Sequence, residues 1–190
     1  MTDHRNSKKI FEKLFKNPLT NQSLCGIIYT ESTKGKYRME NKGTIYFDMD
    51  GTIADFYGQP QWLADLENFS ARPYQKARPL LNMSALAKRL NNLQRKGYRI
   101  GIISWLSKTS TPAYNALVTA VKMAWLAEHL GSVQFDEIHI VAYGTPKSQV
   151  AQNWGILFDD EERNREEWAH NGQAYAPYEI FEVLEVLKKI

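Results

Sequence analysis

The feature that most limits how this chain can fold is a repeated pattern of short apolar runs rich in strand formers. Helical stretches separate the runs, and most end on a polar residue. Thr44-Ile45-Tyr46-Phe47 runs into Asp48, Arg99-Ile100-Gly101-Ile102-Ile103 into Ser104, and Ile156-Leu157-Phe158 into Asp159. Ile138 to Ala142 is a further run, and Gln173 to Tyr175 offers a fifth. Between them, Leu86, Leu90 and Leu93 give one apolar face to a helix over 82–96 that Gly97 stops. Ser110 or Thr111, followed by Pro112, opens another that Gly131 ends. Thr145-Pro146 opens a short helix reaching Gly155, and a last helix covers about 178–189. Strands alternating with helices predict an α/β fold with a doubly wound, mostly parallel sheet.

Sheets of that kind bind ligands at the carboxyl ends of their strands. Asp48 with Asp50, Ser104, Lys147, and Asp159 with Asp160 all fall at or just beyond such ends. Asp48 and Asp50 are two residues apart, so an extended chain would aim both to one side. Gly51 permits a sharp turn after them. An Asp/Gly turn after a strand is common, and it is the coincidence with the later groups that points to a site. Lys147 falls in the first turn of a helix, where a cation opposes the helix dipole, and a helix start beside a lysine suits an anion. The acidic run Asp159 to Glu162 reads either as a solvated loop or as a metal site. Ser107, Thr109 and Ser110 are neighbours able to share the role of Ser104.

In order along the chain, D-M-D-G-T (48–52), Ser104, Lys147 and D-D-E-E-R-N (159–164) resemble the four motifs of the haloacid dehalogenase superfamily of phosphohydrolases. The resemblance covers about residues 44–176 and implies a Rossmann-like sheet with a small cap inserted after the first strand. It also implies a phosphomonoesterase using Mg²⁺, held by Asp48, the backbone carbonyl of Asp50 and Asp159. Asp48 would attack phosphorus, and Asp50 would protonate the leaving oxygen and then activate water. Ser104 would bond a phosphoryl oxygen and Lys147 offset its charge, with Asp160 and Asn164 supporting the metal and the lysine. Gly51 and Thr52 would lie against the substrate. The chemistry is reasonable, since a phosphate dianion repels a carboxylate until its charge is offset.

Residues of about 56–80 exceed what a minimal fold needs and fit such a cap. Tyr57 and Trp62, near the catalytic turn, are candidates to stack on a base, whereas Phe69 is expected to pack on the core. D-M-D-G-T-I-A-D-F (48–56) is similar to the first-motif region of 5′(3′)-deoxyribonucleotidases, which implies a small phosphorylated substrate such as a deoxynucleotide.

Residues 1–43 stand apart as an accessory segment ahead of a 44–190 domain. They carry nine Lys/Arg and four Asp/Glu, whereas the remainder carries fifteen and seventeen. Ile10, Phe11, Leu14 and Phe15 fit an amphipathic helix, residues 24–29 a short strand, and Met39 an internal start. The basic segment leaves room for an alternative, a phosphatase acting on nucleic-acid ends. A phospho-accepting receiver domain also uses acids, a hydroxyl and a lysine, but its paired acids come first and its single acid later. One cysteine, Cys25, excludes an intramolecular disulfide, the apolar runs are too short to span a bilayer, and the polar first residues lead to the expectation of no secretory signal. A cytoplasmic enzyme without membrane contact is expected.

Overall fold

Five strands form one parallel sheet, as the alternating pattern predicts. The structure, a computed structural model, describes residues 41–151, 155–169 and 172–190. The expected helix at Ile10 to Phe15, the strand at 24–29 and the start at Met39 lie outside the described residues. In chain order the elements are β1 (Thr44–Phe47), β2 (Ala54–Asp55), α1 (Trp62–Glu67), α2 (Arg72–Lys76), β3 (Arg78–Pro79), α3 (Met83–Arg95) and β4 (Arg99–Trp105). There follow α4 (Pro112–Leu130), β5 (Glu137–Val141), α5 (Lys147–Val150), β6 (Gly155–Phe158), α6 (Glu162–Trp168), β7 (Gly172–Tyr175) and α7 (Ile180–Leu187).

The strand order is β5-β4-β1-β6-β7, so β1 is central and the winding reverses between β1 and β6. Phe47 is level with Ile102 of β4 and Phe158 of β6, which brings the ends of β1 and β6 side by side. Residue alternation then divides the core. Ile45, Phe47, Ile100, Ile102, Ile156 and Phe158 pack under α3, α4 and α7. Tyr46, Ile103 and Leu157 face Trp168 of α6. Tyr46 needs the bare backbone of Gly101 beside it, because a Cβ there would meet its ring at 2.6 Å.

Local chemistry sets the helix starts. The Asn82 side chain accepts the Ala85 N–H at 2.9 Å, and Thr111 accepts that of Tyr114 at 3.2 Å ahead of Pro112. The short helix after Thr145 is one turn only, ending at Val150, with no side-chain cap and with Ala151 already extended. One turn carries little dipole, so the helix start there adds little to the attraction of an anion beyond the lysine itself. The acidic run, by contrast, does lead into a helix: Asp159 Oδ1 accepts the Glu161 N–H at 2.9 Å and α6 follows, pinned by buried Trp168.

The insertion begins with β2 and ends with β3, which pair antiparallel, and α1 and α2 lie between them. Phe56, Ala71 and Tyr74 bury themselves against Tyr114 and Val118 of α4. Phe69 departs from expectation. The helical spacing breaks at Asn68, Phe69 takes a φ of 54°, and its ring meets the Tyr114 ring edge-on while staying 45% exposed. Among the described residues no helix is long and apolar enough to cross a membrane.

Candidate active site

Asp48 and Asp159 follow directly on the two strands that flank the winding reversal, where an open α/β sheet leaves a crevice. Both carboxylates converge on Lys147, whose Nζ lies 2.7 Å from Asp48 Oδ1 and 2.5 Å from Asp159 Oδ2. All three side chains are almost wholly buried. An ammonium has three donors. Among the described residues two are spent on these carboxylates, and the Trp105 ring lies 5.3 Å from the ammonium.

Asp159 is fixed from several sides. The Asn164 amide donates to both of its carboxylate oxygens at 3.2 Å, and Arg165 donates to the backbone carbonyls of Asp159 and Asp160 at 2.8 and 2.6 Å. Asp160 is tied to the first turn, its N–H donating to Thr52 Oγ1 at 3.1 Å. Gly51 and Thr52, expected against the substrate, are not among the residues that line the cavity. Thr52 is fully buried with its hydroxyl engaged by Asp160, and the Gly51 N–H donates to the Ala54 carbonyl at 2.9 Å. Gly51 serves the turn: its φ is 77°, and a Cβ would stand 2.4 Å from Asp160 Oδ2.

Ser104 is also placed differently from expectation. It is fully buried, it does not line the cavity, and its hydroxyl accepts from Lys122 at 2.8 Å. Ser107 and Thr109, a few residues on, do line it, whereas Ser110 pairs with Asn115. Lys122 is the residue that the sequence reading misses. It lies on α4, is 1% exposed, and also donates to Asp50 Oδ2 at 2.6 Å and the Trp105 carbonyl at 2.8 Å. A signal was present: Tyr114, Val118, Lys122 and Trp125 recur at helical spacing, so the lysine stands in the stripe that must face inward.

The cavity has a volume of about 380 Å³. Asp48, Asp50, Lys147 and Asp159 stand at its polar end, and Tyr57, Trp62, Trp105 and Tyr143 supply aromatic wall. Trp62 meets Tyr57 edge-on at 5.3 Å, and Trp105 lies against Tyr143 at 5.1 Å.

Carboxylates outnumber ammoniums here, and their proton affinities follow. Burial raises Asp50, aided by the charge of Asp48 and opposed by Lys122. Burial and then Asp48 push Asp159 up to about 6 against the pull of Lys147. Asp160 rises to about 7 through burial, Asp48 and Asp159. Burial alone would lower Lys147, but Asp48 and Asp159 more than reverse it. The excess of acid calls for a cation. Among the described residues no three His, Cys, Asp or Glu side chains are spaced to cage a metal. The donor set fits Mg²⁺ nonetheless, since that ion binds through one or two carboxylates and keeps several waters.

Neither a protein-family model nor a curated protein matches the chain. Among solved structures it is similar to D,D-heptose 1,7-bisphosphate phosphatase from Burkholderia thailandensis, with a TM-score of 0.44 and 14% identity. That likeness covers 70% of this chain and 75% of the other, and is too loose to bear on the chemistry.

Proposed function

We propose that this protein is a Mg²⁺-dependent phosphomonoester hydrolase of the haloacid dehalogenase superfamily, with Asp48 as nucleophile. The observation that carries the reading is the meeting of Asp48 and Asp159 on buried Lys147, with Asp50 alongside, at the polar end of an aromatic-walled cavity. Mg²⁺, held by Asp48, Asp159 and the Asp50 backbone carbonyl, would offset the charge of the phosphate. A carboxylate oxygen of Asp48 attacks phosphorus, and the ester P–O bond breaks. Asp50 gives its proton to the departing oxygen, then takes one from the water that cleaves the aspartyl phosphate. Phosphate leaves and Asp48 is restored. The remaining Lys147 N–H would serve a phosphoryl oxygen.

The substrate is a nucleotide or a similarly sized phosphorylated metabolite. The cavity volume lies within the usual range for small-molecule sites, and Tyr57, Trp62, Trp105 and Tyr143 suit a flat ring. The deciding experiment assays a panel of phosphate esters with and without Mg²⁺, for the wild type and for Asp48→Asn. Mg²⁺-dependent phosphate release that vanishes in the variant supports the reading. Release that persists in Asp48→Asn overturns it.

A further inference from the structure

Lys122 is used by nothing in the reaction just described, yet it is among the most completely buried charges in the described structure. Its three donors are all taken by protein: Asp50 Oδ2 at 2.6 Å, Ser104 Oγ at 2.8 Å and the Trp105 carbonyl at 2.8 Å. The Tyr74 ring, from α2 of the insertion, covers it with the ammonium 5.0 Å from the ring centroid. No donor remains for a phosphate, so Lys122 differs in kind from Lys147. It is anchored by two groups of β4 and presents its third N–H to one oxygen of Asp50.

An ammonium has donors and no acceptor. The oxygen of Asp50 that meets Lys122 is therefore an acceptor, and because a carbonyl oxygen accepts better than a hydroxyl oxygen, a proton on that carboxyl favours Oδ1. Oδ1 has no hydrogen-bond partner among the described residues. We infer that Lys122 is a positioning residue that fixes which oxygen of Asp50 carries the proton and aims that oxygen at the leaving group. The inference rests on the phosphatase reading above, in which Asp50 is the proton donor. Lys122 itself touches no reacting atom. Without it, the Asp50 carboxyl is free to rotate about its Cβ–Cγ bond and can place its proton on the oxygen that faces away.

The test compares two esters that differ in their need for a proton. An alkyl phosphate releases a strongly basic alkoxide, whereas 2,4-dinitrophenyl phosphate releases a weak base that leaves unprotonated. General acid catalysis typically contributes about 100- to 10,000-fold, so the contrast is measurable. Lys122→Met, similar in length and uncharged, is expected to lose about 100- to 1,000-fold in kcat/KM on the alkyl ester and about tenfold or less on the dinitrophenyl ester. Equal losses on both would make Lys122 a scaffold residue and overturn the inference. The same comparison in an Asp50→Asn background shows whether it acts through Asp50. The double variant should keep the alkyl-to-aryl ratio of Asp50→Asn, and a further fall in that ratio overturns the inference. If Lys122→Met alone fails to fold, Lys122→Gln, polar but uncharged and shorter, is read in the same two-ester comparison, and equal losses on both esters again overturn the inference. A wild type that cleaves neither ester would remove the phosphatase reading and this assignment with it. An active wild type with an unchanged ratio removes the assignment alone.

Discussion

Lys147 Nζ donates to Asp48 Oδ1 at 2.7 Å and to Asp159 Oδ2 at 2.5 Å, so a single buried ammonium is shared by the two carboxylates. The lysine therefore offsets two buried carboxylates whose charges oppose each other. Its charge is needed before any substrate arrives.

Lys147→Met should accordingly cost stability as well as rate. Breaking a buried ion pair by removing one partner typically costs about 3–5 kcal/mol. A fall in thermal midpoint on the order of ten degrees is expected for the metal-free chain. Added Mg²⁺ should recover part of it, since a cation again offsets Asp48 and Asp159. Calorimetry with and without Mg²⁺ measures both quantities. A variant as stable as the wild type in chelator would contradict the account.

Asp48→Asn and Asp50→Asn should fail at different steps. The first forms no phosphoenzyme from any ester. The second has no need of an acid with 2,4-dinitrophenyl phosphate, so it should transfer one phosphoryl group to Asp48 and then stall for want of a base. Rapid mixing should show a stoichiometric burst of dinitrophenolate, and mass spectrometry one added phosphoryl group. Steady turnover by Asp50→Asn near the wild-type rate would refute its role in both steps.

The acid cluster also sets a direction for stability against pH. Asp159 holds its proton to about 6 and Asp160 to about 7 in the fold, whereas unfolded aspartates release theirs near pH 4. Between those values the unfolded chain binds fewer protons than the folded one, so stability falls as pH rises. The metal-free protein should lose thermal midpoint from pH 4 to 7, and Asp160→Asn should flatten the upper part of that slope. Midpoints rising with pH in chelator would show the opposite sign.

Trp62 sits half-buried at the cavity wall with Phe56 and Tyr57 against its ring. If it stacks on a base, Trp62→Ala should raise KM for a deoxynucleotide about tenfold, as loss of a stacked aromatic commonly does. KM for a small aryl phosphate should change little. Parallel changes in both would mean that Trp62 only supports its neighbours.

The sequence made the sheet legible because buried parallel strands are nearly pure apolar runs, and Asp48, Lys147 and Asp159 were legible as the polar residues at or beyond the strand ends. What stayed hidden depends on distance in sequence. Lys122 contacts Asp50 across 72 positions, and only its place in an apolar stripe hinted at burial. Thr52 and Ser104 carry the residue types of phosphate contacts, yet each hydroxyl is drawn inward by a partner from a distant segment, Asp160 and Lys122. The α6 helix was masked by its acidic start, which reads as loop until Asp159 is seen to bond the Glu161 N–H.

The small antiparallel ladder of β2 and β3 has a consequence for descent. Ala54 stands opposite Pro79 and Asp55 opposite Arg78, so the insertion leaves and rejoins the sheet domain at a single doorway. Lengthening a loop whose ends are already joined adds only slowly to its entropic cost. Whatever lies between those two pairs can be exchanged or enlarged by splicing while the aspartates and lysines keep their places. A lineage built on this plan can change what it acts on without reinventing how it acts, and a grafted segment between Asp55 and Arg78 is the natural place to re-engineer it.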